Sequence, residues 1–139
     1  VPPGAAACIA RDRGEGYRLL MATAAPEFYA GAIADELGFD AIVASRHHRD
    51  AEGNWLPLLD GPNCYGEEKA RRVAEWLAAH AAHGTVPIRV YSDHASDAPT
   101  FALANEAWLV GRGDKFVRRA AKHGWRVADF EDAAAGRLP

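Results

Sequence analysis

Arg18-Leu19-Leu20-Met21-Ala22-Thr23, running into Ala24-Ala25-Pro26, is the stretch on which the fold turns. A short apolar run with no polar alternation is the pattern of a strand buried on both faces, which is the habit of parallel sheets. A hydroxyl closes the run, and a small loop ending in proline follows. Residues 26–37 then read as a helix stopped by Gly38, with Phe28, Ile33 and Leu37 on roughly one side. Asp40-Ala41-Ile42-Val43-Ala44-Ser45 reads as the next strand. Strand, helix and strand in that order predict a parallel unit.

The rest of the chain extends the alternation. Residues 1–13 form a predicted helix, with Pro2 and Pro3 suited to its first turn and Gly14 and Gly16 as its stop. Residues 67–80 form an amphipathic helix carrying Val73, Trp76 and Leu77. A third strand is expected over 86–91, a short helix over 97–104 and a fourth strand over 107–110. A helix over 115–123, closed by Gly124, leads to a final strand over 125–128. Residues 46–61 break the rhythm. Glu52-Gly53-Asn54 is a turn signal between strand-like residues, so a hairpin or irregular excursion is expected there. The fold class is therefore α/β, a parallel sheet with helices on both faces. Ligands in such sheets sit at the carboxyl ends of the strands, and Thr23 and Asp93 each stand just past one.

Composition bounds the function. A chain of 139 residues is a normal size for one domain, and 49% hydrophobic with 25% charged residues is an ordinary globular balance. The net charge of -3, without a block of like charges, gives no reason to expect nucleic acid or a membrane surface as partner. No apolar stretch reaches the length of a membrane span, and no secretory signal is visible at the start. Cys8 and Cys64 lack metal-ligand spacing and read as free, buried thiols of a reducing cytoplasm. The chain opens on Val1 instead of methionine, so either the initiator is trimmed or the sequence is an excerpt.

Three places carry chemistry. Asp93 and Asp97, spaced at a strand end, suit a hard cation such as Mg²⁺, which takes one or two carboxylates with waters and a phosphate. Asp97, before Ala98-Pro99, equally suits an N-cap. Lys69 stands near the start of a helix, where an ammonium and backbone amides together make a phosphate site. The ordinary reading of such a lysine is a solvated surface charge. Thr23 offers a hydroxyl and nearby amides to a phosphoryl oxygen, or a plain cap to the helix after it.

The order of these features is more telling than any one of them. A hydroxyl ending a strand, then a lysine opening a helix, then a strand ending in paired aspartates resembles the second, third and fourth motifs of the haloacid dehalogenase superfamily. Met21-Ala22-Thr23-Ala24-Ala25-Pro26-Glu27-Phe28-Tyr29 looks like its second motif. Asp60-Gly61-Pro62-Asn63-Cys64-Tyr65-Gly66-Glu67-Glu68-Lys69 is similar to the lysine motif of its phosphoserine-phosphatase-like branch. Tyr91-Ser92-Asp93-His94-Ala95-Ser96-Asp97-Ala98-Pro99 resembles that branch's metal motif, and Gly124-Trp125 is typical of it. The resemblance implies a Rossmann-like core and Mg²⁺-dependent hydrolysis of a small phosphorylated metabolite through an aspartyl-phosphate. It implies that Thr23 hydrogen-bonds the phosphoryl group and Lys69 neutralises its charge. Asp93 would bind the metal, and Asp97 would support the site from the metal's side.

One motif is absent. The family's first motif is a strand ending in Asp-x-Asp, whose first aspartate is the nucleophile, and no Asp-x-Asp occurs in residues 1–139. Asp12 lies in a helix between arginines and Asp40 begins a strand, so neither replaces it. The missing strand would lie between the strands bearing the second and fourth motifs, leaving each with an unpaired edge. The helical cap that selects the substrate is missing too. The leading expectation is that residues 1–139 are a single domain forming the C-terminal part of a longer phosphatase. Alone the chain is then inactive, and it needs an N-terminal segment of the same protein or a partner's strand. The alternatives are an inactive binding or interaction module and a nucleotide-binding α/β domain, though no glycine-rich turn follows the first strand.

Other residues read more plainly. The six histidines form no ligand cluster by spacing. His47 and His48, being adjacent, point to opposite sides if extended, and His94 reads as a surface residue inside the metal motif. Arg46, just past a strand end, reads as a surface arginine within reach of the site. Trp76, Trp108 and Trp125 are expected to pack against the core and sheet, with Trp55 on the excursion.

Overall fold

A computed structural model of the chain describes residues 1–80 and 86–132. Its elements are α1 (Pro3–Gly14), β1 (Leu20–Pro26), α2 (Glu27–Leu37), β2 (Ala41–Ser45), β3 (His47–Arg49), β4 (Trp55–Leu59) and α3 (Gly66–His80). Then follow β5 (Arg89–Ser92), α4 (Ala98–Phe101), β6 (Glu106–Val110), α5 (Asp114–His123) and β7 (Arg126–Ala128). The chain is α/β with parallel strands, as the apolar runs predict. His83 lies outside the described residues. Two compact units are distinguished: Val1–Arg18 with the chain from Thr85 onward, and Leu19–Gly84.

In the second unit β1 pairs in parallel with β2, with Leu20 opposite Ala41 and Ala22 opposite Val43. Asp40 fixes the start of this ladder: its carboxylate accepts from the Leu19 amide at 2.6 Å, while its own amide donates to Leu19 O at 2.9 Å. Helix α2 bridges the two strands and ends where Gly38, at φ 73°, takes the left-handed conformation that a side chain resists. The face it buries is not the expected one. Ala30 and Ala34 are buried, whereas Phe28 is exposed and stacks on Trp55 of the excursion at 4.9 Å. Small residues let the helix sit close to the sheet, so the large ring is free to serve the neighbouring hairpin.

The excursion is an antiparallel hairpin of β3 and β4, with His47 opposite Leu59 and Arg49 opposite Trp55. Its turn is built by Asp50, whose carboxylate accepts from the amides of Glu52 at 3.0 Å and Asn54 at 2.8 Å. The bond from Asn54 is the main force holding the Asp50 carboxyl below its ordinary range. Helix α3 lies against β1 and β2, presenting Val73 and, one turn earlier, Lys69.

In the first unit β5, β6 and β7 form a parallel sheet in that order. Phe101, Leu109 and Ala120 make its core, with Val90, Phe116, Trp125 and Val127 packed on them. Trp108 is buried, as expected of a sheet residue. Strand β5 begins three residues later than the sequence suggests. Pro87 has no amide to give a ladder, and Ile88 O is already taken by the amides of Asn105 and Glu106. Helix α1 buries Gly4, Cys8 and Asp12, one residue per turn on one face. At Gly4 a Cβ would stand 2.6 Å from the carbonyl oxygens of Phe130 and Asp132, so only glycine permits the approach. Cys8 and Cys64 are both buried, and neither is in a disulfide.

Among the described residues, β1 has β2 as its one ladder neighbour and β5 has β6. Each therefore keeps one edge unpaired, as the missing first motif predicts. No described helix is long and apolar enough to cross a membrane.

Candidate functional site

Thr23 and Lys69 belong to the second unit, and Asp93 and Asp97 to the first. Thr23 sits where β1 loses register: Ala22 faces Val43 but Pro26 faces Ser45, so four residues advance against two. The bulge lifts Thr23, Ala24 and Ala25 out of the ladder. The Ala25 amide donates to Thr23 Oγ1 at 3.1 Å, and the hydroxyl proton has no acceptor among the described residues. The hydroxyl does not cap α2, whose N-cap is Pro26 without a side-chain bond. Thr23 is left as a donor within β1, just past Ala22, where the regular parallel ladder breaks.

Lys69 is 9% exposed, not the solvated surface charge that an isolated lysine suggests. The signal was present in the spacing: residue 69 precedes Val73 by four, on the stripe that Trp76 and Leu77 continue. The loop before it is pinned. Ser45, fully buried at the end of β2, donates to Asn63 Oδ1 at 2.7 Å and accepts from the Cys64 amide at 2.9 Å. Burial pushes the Cys64 thiol up, against the opposing pull of Arg72 and Lys69 and a hydrogen bond from the Thr23 backbone. Sequence reading gave no role to Ser45, the last residue of β2, or to Asn63, inside the lysine motif.

In the first unit, β5 delivers Ser92 and Asp93 at its carboxyl end, and a tight turn over Ala95–Asp97 follows. Asp93 is exposed, and its carboxylate has no partner among the described residues. Asp97 is buried and accepts from Ser92 Oγ at 2.5 Å. It does not cap α4 with its side chain. His94 caps the turn over Ala95–Asp97 instead, accepting from the Ser96 amide at 3.0 Å through Nδ1. Hard oxygen donors, one free and one held in place, fit Mg²⁺. No group of three or more possible ligands that could hold a metal ion is found among the described residues.

Asp12 and Asp40 stay out of this chemistry. Asp40 serves the Leu19 amide, and Asp12 is buried beneath Arg11, Arg89 and Tyr91.

Comparison with known proteins gives three findings. A family model described as haloacid dehalogenase-like hydrolase matches residues 1–102. Protein CicA of Caulobacter vibrioides is 29% identical over 94 residues, which cover 68% of this chain and 40% of CicA. The chain thus spans 40% of the length of that relative. Among solved structures, a protein of unknown function from Bordetella pertussis Tohama I superposes with a TM-score of 0.80 at 22% identity, over 91% of this chain and 57% of its own. A probable phosphoserine phosphatase from Vibrio cholerae superposes with a TM-score of 0.68 at 14% identity, over 93% of this chain and 41% of its own. At such identities these likenesses speak for the fold alone.

Proposed function

The chain belongs to the haloacid dehalogenase-like hydrolases, and from that membership we propose that it carries most of the phosphoryl-binding machinery of a Mg²⁺-dependent phosphomonoesterase. The observation that carries the reading is the Thr23 bulge, which leaves a hydroxyl donor and out-of-ladder backbone where the β1 ladder breaks, in the unit that also buries Lys69. Phosphoryl transfer asks little of a protein beyond positioning and charge neutralisation. Thr23 donates its hydroxyl hydrogen to a phosphoryl oxygen, and the Lys69 ammonium offsets the anionic charge. Asp93 binds the cation through its free carboxylate, with Asp97 supporting that end of the site. Mg²⁺, when bound, draws charge from the phosphoryl oxygens. The nucleophile is an aspartate outside residues 1–139, whose carboxylate forms the aspartyl-phosphate and splits hydrolysis into two easier steps.

The absence of Asp-x-Asp from these residues also supports a second reading, a catalytically inactive module that binds without turning over. Reading the coding DNA upstream of the Val1 codon separates the two. An in-frame Asp-x-Asp-x-Thr or Asp-x-Asp-x-Val, far enough upstream to leave room for a cap, supports the phosphatase. The extended protein should then hydrolyse a generic aryl phosphate with Mg²⁺, while the 139-residue chain does not. A start codon directly before Val1 favours the module, and turnover by the 139-residue chain alone defeats both assignments.

A further inference from the structure

Helix α5 gathers charge that the sequence disperses. Lys115, Arg118, Arg119 and Lys122 are interrupted along the chain by Phe116, Val117, Ala120 and Ala121, so no block of like charge is visible there. Spaced at i, i+3, i+4 and i+7, the four fall on one side of the helix. Lys115, Arg118 and Lys122 are exposed, and Arg119 is half-buried. The other side is fixed, because Ala120 is buried in the core of the first unit with Phe116 packed on it.

None of the four cations has a hydrogen bond or ion pair among the described residues. The nearby acids are committed elsewhere. Glu106 accepts from Arg89 and Arg126, and Asp129 accepts from Arg112, on which Glu131 and Asp132 also act. Asp114, the one acid on α5, stands in the first turn, where it offsets the helix dipole. The dipole also suits Lys122 in the last turn, but Lys115 in the first turn opposes it. Lys115 with Arg119, and Arg118 with Lys122, are like-charge i, i+4 pairs, each of which destabilises the helix. A row that weakens its own helix and finds no anion within the protein points to an anion outside it.

The character of the face selects that anion. A helix of 10 residues is a convex ridge about 15 Å long, and long Lys and Arg side chains on a ridge suit a layer that moulds itself around them. Beside Arg118 the ridge also exposes Val117, 53% accessible, and Ala121. A nucleic-acid backbone offers these two nothing apolar. The boundary between lipid headgroups and acyl chains offers anion and hydrocarbon together.

We propose that the outer face of α5 docks reversibly on an anionic lipid surface. Lys115, Arg118, Arg119 and Lys122 meet the headgroup phosphates, and Val117 reaches the apolar boundary beneath them. The net charge of -3 does not prevent this, because screening confines the attraction to charges within one Debye length, about 10 Å in ordinary buffer. Four cations on one face give weak, salt-sensitive adsorption and not permanent anchoring.

The test is co-sedimentation of the 139-residue chain with vesicles of phosphatidylcholine alone and of phosphatidylcholine mixed with phosphatidylglycerol. The chain should bind the mixed vesicles only, and should be released as salt rises. Arg118→Gln combined with Lys122→Gln should weaken the partition coefficient about thirtyfold. The urea midpoint of that variant should hold or rise, since like-charge pairs are removed. Arg46→Gln combined with Arg49→Gln removes the same charge from the hairpin and should leave partitioning unchanged. Val117→Ser should weaken binding at every salt concentration. No binding to the mixed vesicles overturns the proposal, as does an equal loss in the two double variants, which would assign the attraction to net charge. Indifference to Val117→Ser, together with tighter binding of a single-stranded oligonucleotide than of the mixed vesicles, makes nucleic acid the partner and overturns it too.

Discussion

Arg89 on β5 donates to the carboxylate of Asp12 on α1 at 2.6 Å, across 77 residues of sequence. Asp12 is buried, and it also accepts from Arg11 at 2.6 Å and from the Tyr91 hydroxyl at 2.9 Å. Arg89 in turn reaches Glu106 at 2.8 Å and Glu15 at 3.1 Å. Helix and strand are thus joined by a network in which every charge has an opposite neighbour. Removing one member leaves the others desolvated and uncompensated. Asp12→Ala should therefore lower stability by about 3–5 kcal/mol, read as a fall in the urea midpoint at unchanged slope. A loss under about 1 kcal/mol would place the network among inconsequential surface pairs.

The same network predicts an alkaline limit. Burial raises the Tyr91 hydroxyl above its ordinary range, and the Asp12 carboxylate raises it further. A folded-state pKa above the unfolded one means that the native protein holds the proton more tightly. Its contribution is complete below the unfolded value, near pH 10, and drains away as pH climbs from there toward the folded value. Burial moves the Cys8 thiol in the same direction, adding to the loss from about pH 9. Urea midpoints should hold level up to about pH 9 and fall between about pH 9 and 11, and Tyr91→Phe should flatten that fall although it lowers stability at neutral pH. A slope unchanged in Tyr91→Phe would assign the alkaline loss to other groups.

These residues show what sequence could and could not convey. The strand and helix order was legible because apolar runs and glycine stops are local signals, and Gly38 and Gly124 end α2 and α5 where expected. Asp12 was legible as a helical residue between arginines, but not as the hub of a buried network. Its partners Arg89 and Tyr91 come from a strand far along the chain, and no local pattern encodes that meeting. Phe28 was misplaced for a related reason. Periodicity says which residues share a face, but not whether alanines or aromatics win the contact with the sheet. Thr23, Lys69, Asp93 and Asp97 were singled out by their order along the chain, and their roles are the proposal made above. Ser45 and Asn63 were not, because a buried serine at a strand end has no signature until its partner is seen.

That pair yields the next expectation. Ser45 Oγ serves both Asn63 Oδ1 and the Cys64 amide. Ser45→Ala strands a buried amide and frees Asn63, at a cost of about 1–3 kcal/mol. Hydrogen exchange at Cys64 should speed up more than at Val43 or Ala44, since those amides lie in β2. Uniform acceleration over the second unit would mean that Ser45 stabilises the unit as a whole and does not specifically pin the lysine loop.

Asp93 and Asp97 stand only four positions apart but have different things to lose. Asp93 is exposed without a partner among the described residues, so Asp93→Ala should leave the thermal midpoint nearly unchanged, within about 0.5 kcal/mol. Asp97 is buried and accepts from Ser92, so Asp97→Ala abandons a buried hydroxyl and should cost about 1–3 kcal/mol. Cation binding should reverse the ranking. The exposed carboxylate is the one that can reach an ion without first giving up a bond. Stabilisation by Mg²⁺ grows with the logarithm of its concentration over the dissociation constant. The midpoint of the parent chain should therefore rise with millimolar Mg²⁺, that of Asp97→Ala should rise from a lower start, and that of Asp93→Ala should stay flat. Should Asp93→Ala respond to Mg²⁺ as the parent does, the carboxylate at the end of β5 is not the ligand, and the metal assignment moves elsewhere.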